Sequence, residues 1–237
     1  MSPTGTSTSR KTSGTLALLG GDEWTDECRS LDAELLAASG GDEVVVLPTA
    51  AAYEQPDRVV ERAAAWFETL GARVCALRIL NRRDAETDAH LRSVRAAKLL
   101  YICDGSPLHL RSVLKGSPLW DAIVSAYRDG AVLAASGAGA TVVCDPMVDP
   151  RGGAYTVGLG VVSNLAVFPY HGTAARHLRE RSVQLLPRGA TLAGLDETTA
   201  LVRSPAGEWR AIGPGSVTLY RGSTAPEVYS GEAVPNL

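Results

Sequence analysis

The sequence predicts one α/β domain in which a mostly parallel sheet is covered by helices on both faces, a three-layer α/β/α sandwich. Short β-type apolar runs alternate with helical patterns along most of the chain, as in repeated β-α-β units. Glu43–Leu47 is an almost continuous apolar run, which is typical of a strand buried on both faces. The 237 residues and the apolar share of 45% suit a single globular domain of this kind.

Local signals place the first elements. The strand predicted at Thr15–Leu19 ends at a Gly-Gly pair, and the strand at Glu43–Leu47 follows a helix at Asp26–Ala38 that two further glycines end. Pro56 begins the second helix because proline fits the first helical turn. This helix carries apolar residues at a period of 3.6 residues until Gly71 ends it.

The same alternation predicts the remaining elements. Thr87 is suited to N-cap the third helix, and glycine, proline and short β-type runs dominate after residue 145. The further predicted strands are Arg73–Ile79, Lys98–Cys103, Ala131–Ala135, Thr191–Ala193, Thr199–Val202, Trp209–Ile212 and Val217–Tyr220. The further predicted helices are Thr87–Ala97, Leu108–Leu114, Leu119–Tyr127 and Ala174–Leu186.

Composition divides the chain into three predicted segments. They are a disordered leader at residues 1–13, the α/β domain at 14–222 and a loose C-terminal tail at 223–237. The leader is rich in Ser, Thr, Gly and Pro and lacks the apolar stretch of a signal peptide. We therefore expect a cytoplasmic location.

Charge and cysteine usage argue against several classes of partner. The net charge is −3 and there is no basic stripe, so neither nucleic acid nor a membrane surface is expected as a partner. The four cysteines lie far apart in the sequence and are expected to be reduced thiols. Neither cysteines nor histidines have the spacing of zinc ligands, so we expect no metal and no cofactor.

One segment has the pattern of a catalytic turn. Val132–Thr141 (V-L-A-A-S-G-A-G-A-T) predicts a strand, a turn of small residues and then a helix. This is the context of the nucleophile elbow of serine hydrolases, in which the helix N-terminus stabilises an oxyanion. Ligands of parallel sheets bind beyond the carboxyl ends of the strands, so the functional site is expected at this turn.

The turn resembles that of a known family. Ala135–Ala140 (A-S-G-A-G-A) resembles the G-T/S-S-A-G-A motif of the cyanophycinase and dipeptidase E family of serine peptidases. The trailing A-G-A sets the register and puts Gly137 at the position of the nucleophilic serine. Four further segments resemble the family in the same order, namely Gly20–Glu23, Val45–Ala51, Asp104–Leu110 and Gly194–Ala200. The resemblance implies a class I glutamine amidotransferase-like fold and relatives that cleave bonds next to aspartyl residues without a metal.

The resemblance also implies roles for individual side chains. His171 falls at the position of the general base, with Asp149 as the first candidate for its acid and Glu197 as the second. A surface turn is the alternative for His171 and Asp149. Arg176 and Arg179 lie near the arginines that hold a substrate carboxylate in the family, although a solvated helical face is the alternative. The expected borders of the substrate pocket are Gly21, Asp104, Gly105, Ser106 and Ala138.

These residues lead to one main hypothesis and two alternatives. We expect a repurposed or degenerate peptidase homologue, a pseudoenzyme in hydrolysis, that binds a small amino-acid-like or peptide-like molecule without an acyl-enzyme. Asp104 and His171 would remain for acid–base chemistry. The first alternative is an active hydrolase with Ser136 or Cys103 as a displaced nucleophile, and the second is a non-catalytic binding or scaffold protein. The expected partner is a small molecule or short peptide, and the expected state is a monomer or homodimer.

Overall fold

A computed structural model describes residues 12–235 and 237, and residues 1–11, most of the predicted leader, lie outside the described residues. The strands are β1 (Leu16–Leu19), β2 (Glu43–Leu47), β3 (Arg73–Ala76), β4 (Leu99–Ile102), β5 (Val132–Ser136), β6 (Cys144–Asp145), β7 (Met147–Val148), β8 (Tyr155–Thr156), β9 (Val162–Ser163), β10 (Leu165–Phe168), β11 (Thr191–Leu195), β12 (Ala200–Arg203), β13 (Trp209–Ile212), β14 (Val217–Arg221), β15 (Glu227–Tyr229) and β16 (Ala233–Val234). The helices are α1 (Arg29–Ser39), α2 (Pro56–Glu68), α3 (Asp88–Ala96), α4 (Pro107–Leu114), α5 (Pro118–Arg128), α6 (Ala138–Val143) and α7 (Arg176–Gln184), with 3-10 turns at Asp26–Cys28, Thr49–Ala51 and Asp84–Glu86.

The central sheet has eight strands in the order β16-β13-β12-β1-β5-β4-β2-β3. Strands β1, β5, β4, β2 and β3 are parallel, which confirms the predicted parallel sheet, and β12, β13 and β16 extend it antiparallel to their neighbours. In the middle, β1 pairs with β5 so that Leu19 lies beside Ser136. The turns that follow these two strands therefore meet at the same edge of the sheet.

Both faces of the sheet are buried, as the continuous apolar runs predict. In β4, Leu100 and Ile102 point into the core formed with α3, α4, α5 and α6, whereas Leu99 and Tyr101 point into the core formed with α1 and α2. Burying one such side chain stabilises the fold by roughly 1.5–3 kcal/mol. The result is the predicted three-layer sandwich. None of the helices within residues 12–235 is long and apolar enough to cross a membrane.

A second, smaller sheet decides where the residues after β10 point. Its strand order is β10-β11-β14-β15, with β10 parallel to β11. Strand β10 also packs against α6 and the short strands β6 and β7. Its last residue, Phe168, is followed directly by a turn that contains Tyr170 and His171, so this sheet carries that turn to the edge of the central sheet.

The described residues of the C-terminal segment, 223–235 and 237, differ from the predicted loose tail. Strand β15 pairs with β14, and β16 pairs with β13 at the edge of the central sheet. Val234 is buried, and Glu227 forms an ion pair with Arg221. Strands of two and three residues are too short to create a recognisable alternation in sequence. They are recognised only by their pairing with β13 and β14 in the structure. Elsewhere the predicted boundaries agree to within three residues, the largest strand difference being the earlier end of β3 at Ala76.

One acidic side chain lies inside the core between the sheet and α1. Asp32 is fully buried, and its Oδ2 accepts a hydrogen bond of 2.8 Å from Trp66 Nε1. Its Oδ1 has no hydrogen-bond partner among the described residues, and neither do the nearby Tyr101 hydroxyl and Trp24 Nε1. Burial away from water raises the pKa of Asp32 to about 7, although the Trp66 hydrogen bond opposes this shift.

The raised pKa of Asp32 predicts a pH-dependent stability. The unfolded carboxyl ionises near pH 3.8, whereas the folded one keeps its proton until about pH 7. The unfolded state therefore binds fewer protons between these values, and this group lowers the free energy of unfolding as pH rises through that window. Asp32→Asn, which keeps an acceptor for Trp66, should raise the unfolding free energy at pH 8 by up to about 4 kcal/mol and change it far less at pH 4.

Urea unfolding at pH 4, 6 and 8 measures this difference. Asp42→Asn, at an exposed carboxylate, serves as the control and should leave the pH profile unchanged. A variant at Asp32 that is less stable than the native chain at pH 8 would show that the buried carboxylate is stabilising.

Candidate active-site pocket

A cavity of about 510 Å³ opens beyond the carboxyl ends of the parallel strands. Segments that follow β1, β4, β5 and β10 contribute to its wall, as expected for an open α/β sheet. Its lining residues near the elbow are Asp22, Glu23, Asp104, Gly105, Ala138, Thr141, Pro169 and Tyr170. The cavity therefore lies at the edge of the sheet where the sequence predicts the site.

Gly137 forms the turn between β5 and α6. The strand ends at Ser136, the helix begins at Ala138, and Gly137 has φ 49° and ψ −107°. This backbone conformation is accessible to glycine but strained for residues with a Cβ atom, at a cost of about 1–3 kcal/mol. The predicted order of strand, turn and helix is confirmed, with the turn at Gly137.

The carboxylate of Asp104 fills the space above Gly137. A Cβ atom built on Gly137 would lie within 3.0 Å of the Asp104 carboxylate carbon and both of its oxygens, closer than real side chains approach. Asp104 Oδ1 accepts hydrogen bonds from the backbone N–H groups of Ala138 at 2.6 Å and of Gly105 at 2.7 Å. In an elbow these N–H groups are the donors available to an oxyanion, and here a side chain of the same protein occupies them.

Tyr170, and not His171, faces this carboxylate. The Tyr170 hydroxyl donates a short hydrogen bond to Asp104 Oδ2, and the Tyr170 backbone has φ 53°. Its ring packs against Gly21, where a Cβ atom would collide with it. Burial, followed by the hydrogen bond to Asp104, raises the pKa of Tyr170, so the phenol keeps its proton and acts as a donor.

The prediction that His171 lies at the elbow is wrong. Its Nε2 lies 2.9 Å from the Tyr220 hydroxyl, and its ring packs against Gly194 of the second sheet. The imidazole is nearly buried, and this burial lowers its pKa, which favours the neutral ring. Tyr170 and His171 are adjacent residues after β10, and their side chains point in different directions. The side chain of Tyr170 therefore faces the cavity, whereas that of His171 faces the second sheet.

Neither predicted acid partners His171. Asp149 binds Arg151 at 2.5 Å, an interaction that lowers the Asp149 pKa, and Glu197 accepts a hydrogen bond from Thr173. The carboxylate beside His171 Nδ1 is Asp196, at 3.5 Å. Asp196 is fixed in turn by the backbone N–H and hydroxyl of Ser216, at 2.9 and 2.7 Å.

The two candidate displaced nucleophiles are both inside the protein. Ser136 is fully buried and donates a hydrogen bond of 2.7 Å to Glu23 Oε2. Cys103 is also fully buried, and burial raises the pKa of its thiol well above the usual value. Glu23 connects these residues to the pocket, since its Oε1 accepts from the Asp104 N–H at 3.4 Å. Burial raises the pKa of Glu23 as well.

The remaining predicted pocket residues divide into two groups. Gly105, with φ 140°, borders the cavity, whereas the Ser106 hydroxyl accepts from the His109 N–H and N-caps α4. Arg176 and Arg179 line a separate shallow surface beside Tyr220 and not the cavity. Across residues 12–235 and 237 no three His, Cys, Asp or Glu side chains are grouped as ligands for one metal ion.

Sequence reasoning missed two residues of this site, Glu23 and Tyr170, and it also missed Asp196, the carboxylate beside His171. Glu23 and Asp196 follow closely on the ends of predicted strands, whereas Tyr170 follows β10, which the sequence did not predict as a strand. Glu23 lies in a segment that resembles the family's first glycine turn, and Asp196 lies in another matching segment. The position after a predicted strand was therefore a signal for Glu23 and Asp196, and the sequence offered no such signal for Tyr170.

The fold and the turn at Gly137 define the class of protein. A three-layer α/β/α domain with a mostly parallel sheet and a strand–turn–helix elbow at its carboxyl edge is the class I glutamine amidotransferase-like fold. Residues 16–205 match the model of peptidase family S51, and the chain belongs to this family.

Individual relatives agree with this assignment. The crystal structure of a peptidase from an acI-B1 Actinobacterium has a TM-score of 0.86 and 25% identity, and the match covers 95% of this chain and 98% of that one. A candidate peptidase E protein from Listeria monocytogenes EGD-e, with a TM-score of 0.64 and 17% identity over 89% of this chain and 100% of that one, supports the fold. The cyanophycinase of Trichormus variabilis (strain ATCC 29413 / PCC 7937) is 26% identical over 228 residues, which cover 90% of this chain and 75% of the cyanophycinase.

The crowding above Gly137 predicts strong coupling between two substitutions. Gly137→Ala should destabilise the fold by about 3 kcal/mol or more, because the new methyl group meets Asp104 and the backbone is strained. Asp104→Gly alone should cost about 1–3 kcal/mol, since it leaves the Ala138 N–H without its acceptor. The double variant should be more stable than the sum of the two losses predicts, by at least about 1 kcal/mol.

Urea unfolding of the four proteins measures this coupling. Gly40→Ala is the control for a Cβ atom added at positive φ in open space, because Gly40 has φ 61° and ψ 21° and no atom lies near its added Cβ. Additive losses in the double variant would mean that Asp104 does not hold the space above the turn.

Proposed function

We propose that this chain is a repurposed member of peptidase family S51 that binds a small amino-acid-like or peptide-like molecule in the cavity without forming an acyl-enzyme. The observation that carries the proposal is the position of Asp104. Its carboxylate occupies the space into which a side chain at residue 137 would project. It also takes the two backbone N–H groups that would stabilise an oxyanion.

Three parts of the serine peptidase machinery are replaced in this proposal. Glycine at position 137 supplies no nucleophile, Asp104 occupies the oxyanion hole, and Tyr170 holds the place of a base. A phenol with a raised pKa donates a proton and does not remove one from serine. The three replacements contact one another, so they form one altered site.

The geometry gives the pocket a different chemistry. Asp104 is an acceptor and Tyr170 is a donor, and both line the open cavity. They are the pair placed for proton exchange with a bound ligand, a role that the sequence had assigned to Asp104 and His171. His171 and Asp196 support the second sheet instead, through Tyr220 and Ser216.

Two observations disfavour the alternatives. Ser136 and Cys103 are fully buried, so neither can reach a substrate in the cavity without rearrangement of the core. A scaffold protein has no need of an open cavity, whereas about 510 Å³ lies within the size range of pockets that bind small molecules.

The proposal predicts an inert native protein. Neither a serine-directed fluorophosphonate nor a thiol alkylator should label a residue in its cavity. Its hydrolysis of aspartyl dipeptides should not exceed the rate enhancement of roughly 10³–10⁴-fold over water that remains in triad enzymes without their nucleophile. Intact-mass spectrometry and a dipeptide hydrolysis assay measure both outcomes. Robust turnover that Ser136→Ala or Cys103→Ala abolishes would overturn the proposal.

Restoring labelling should require three substitutions together. Gly137→Ser supplies the hydroxyl, Asp104→Gly clears the space and the oxyanion hole, and Tyr170→His supplies a base. We expect fluorophosphonate labelling of the triple variant and none of Gly137→Ser alone. The matched control combines Gly137→Ala with the other two substitutions, and circular dichroism checks that each variant folds. Equal labelling of the triple variant and this alanine control would contradict the proposed nucleophile position.

A further inference from the structure

The ionisable side chains that line the cavity are mostly acidic. Among the described residues that line the cavity, the guanidinium of Arg62 is the one basic side chain. The lining carboxylates are Asp22, Glu23, Glu54, Asp104 and Asp149. A cavity with this excess of negative charge favours cationic ligands, because its carboxylates attract cations and repel anions.

Several of these groups are already engaged within the protein. Arg62 Nη2 donates to the Glu23 carbonyl oxygen at 3.0 Å, and its guanidinium lies 5.8 Å from the Trp24 ring centroid. The Asp149 carboxylate is paired with Arg151. Glu23 lies beneath the surface against Ser136, so it is not presented to a ligand.

The three remaining carboxylates are available to a ligand. Asp22 and Glu54 are exposed and form no ion pair with any residue that the structure describes. Asp104 is half-buried in the middle of the site, and its hydrogen bonds come from neutral N–H and O–H groups. Its negative charge therefore has no cationic partner in the described part of the chain.

Part of the cavity wall is apolar. Val148 and Phe168 are buried in a cluster with the partly buried Ala174 and Leu178, and all four line the cavity. Arg176 and Arg179, which the sequence suggested as carboxylate binders, line a separate surface. The described residues of the cavity wall thus offer apolar contact and negative charge, and none of them is a free cation for a ligand carboxylate.

Resting on the proposed function, we infer that the peptide-like ligand is a primary or secondary amine that carries an apolar group and lacks a free carboxylate. The ammonium group lies against Asp104, with Asp22 and Glu54 adding negative charge at the entrance. The apolar group packs on Val148 and Phe168. Charge-assisted hydrogen bonds to a partly desolvated carboxylate are the strong polar contacts of such a complex.

Isothermal titration calorimetry with three matched probes tests the inference. The probes are 2-phenylethylamine, phenylalanine, which adds a carboxylate to the same amine, and 3-phenylpropanoate, which has the carboxylate without the amine. We expect 2-phenylethylamine to bind with a Kd below about 1 mM, phenylalanine to bind about tenfold more weakly or worse, and 3-phenylpropanoate not to bind. Raising the salt concentration should weaken amine binding where the exposed carboxylates contribute.

Variants of the native chain identify the carboxylates. Asp104→Asn keeps acceptor and donor groups for its neighbours but removes the charge, and it should weaken 2-phenylethylamine binding about tenfold or more. Glu54→Gln, at an exposed position, should weaken it less and provides a second test if Asp104→Asn is unstable. Asp42→Asn, outside the cavity, should leave the Kd unchanged.

Several results would overturn the inference. They are tighter binding of phenylalanine or 3-phenylpropanoate than of the amine, no amine binding up to about 10 mM, or an amine Kd that neither Asp104→Asn nor Glu54→Gln changes. Each of these leaves the proposed function standing if the native chain also resists the fluorophosphonate. Labelling of the native chain would instead overturn the proposed function, whatever the titrations show.

Discussion

The Asp104 carboxylate forms three hydrogen bonds that join separate parts of the chain. They come from the first residue of α6, from the loop after β4 and from the turn after β10. A buried or half-buried carboxylate is costly unless its oxygens are satisfied, so these donors must be held in place. The requirement accounts for much of the local architecture, including the glycine beneath the carboxylate at position 137.

The sheet topology supplies the frame for this interaction. Because β1 and β5 are paired and parallel, the Gly20-Gly21 turn lies beside the elbow and leaves room for the Tyr170 ring. The turn after β10, which contains Tyr170 and His171, is held on its other side by the second sheet through His171 and Asp196. Two adjacent residues thus serve different sheets, and the conformation of Tyr170 at φ 53° is maintained by contacts on both sides.

The sequence predicted those features that depend on local signals. Gly137 could be placed because the small-residue turn and its glycine register are contiguous, and the parallel sheet because its strands are apolar throughout. The base and its acid could not be placed. A difference of one residue in the register after β10 decides whether Tyr170 or His171 faces the cavity. The contact of His171 with Asp196 forms only when β10 and β11 pair. Glu23 stands beside Asp22 in a polar turn, and nothing in that pattern distinguishes the buried carboxylate from the exposed one.

The crowding of Gly137 by Asp104 also constrains how such a chain could change over evolutionary time. A serine arising at position 137 in a single mutational step would meet the carboxylate and a strained backbone before it could act as a nucleophile. Removing Asp104 first would leave backbone N–H donors without an acceptor, and replacing Tyr170 first would remove a hydrogen-bond donor from the carboxylate. If the chain is a repurposed peptidase as proposed, each first step back toward a serine peptidase carries a loss of stability, and such a change would be difficult to reverse.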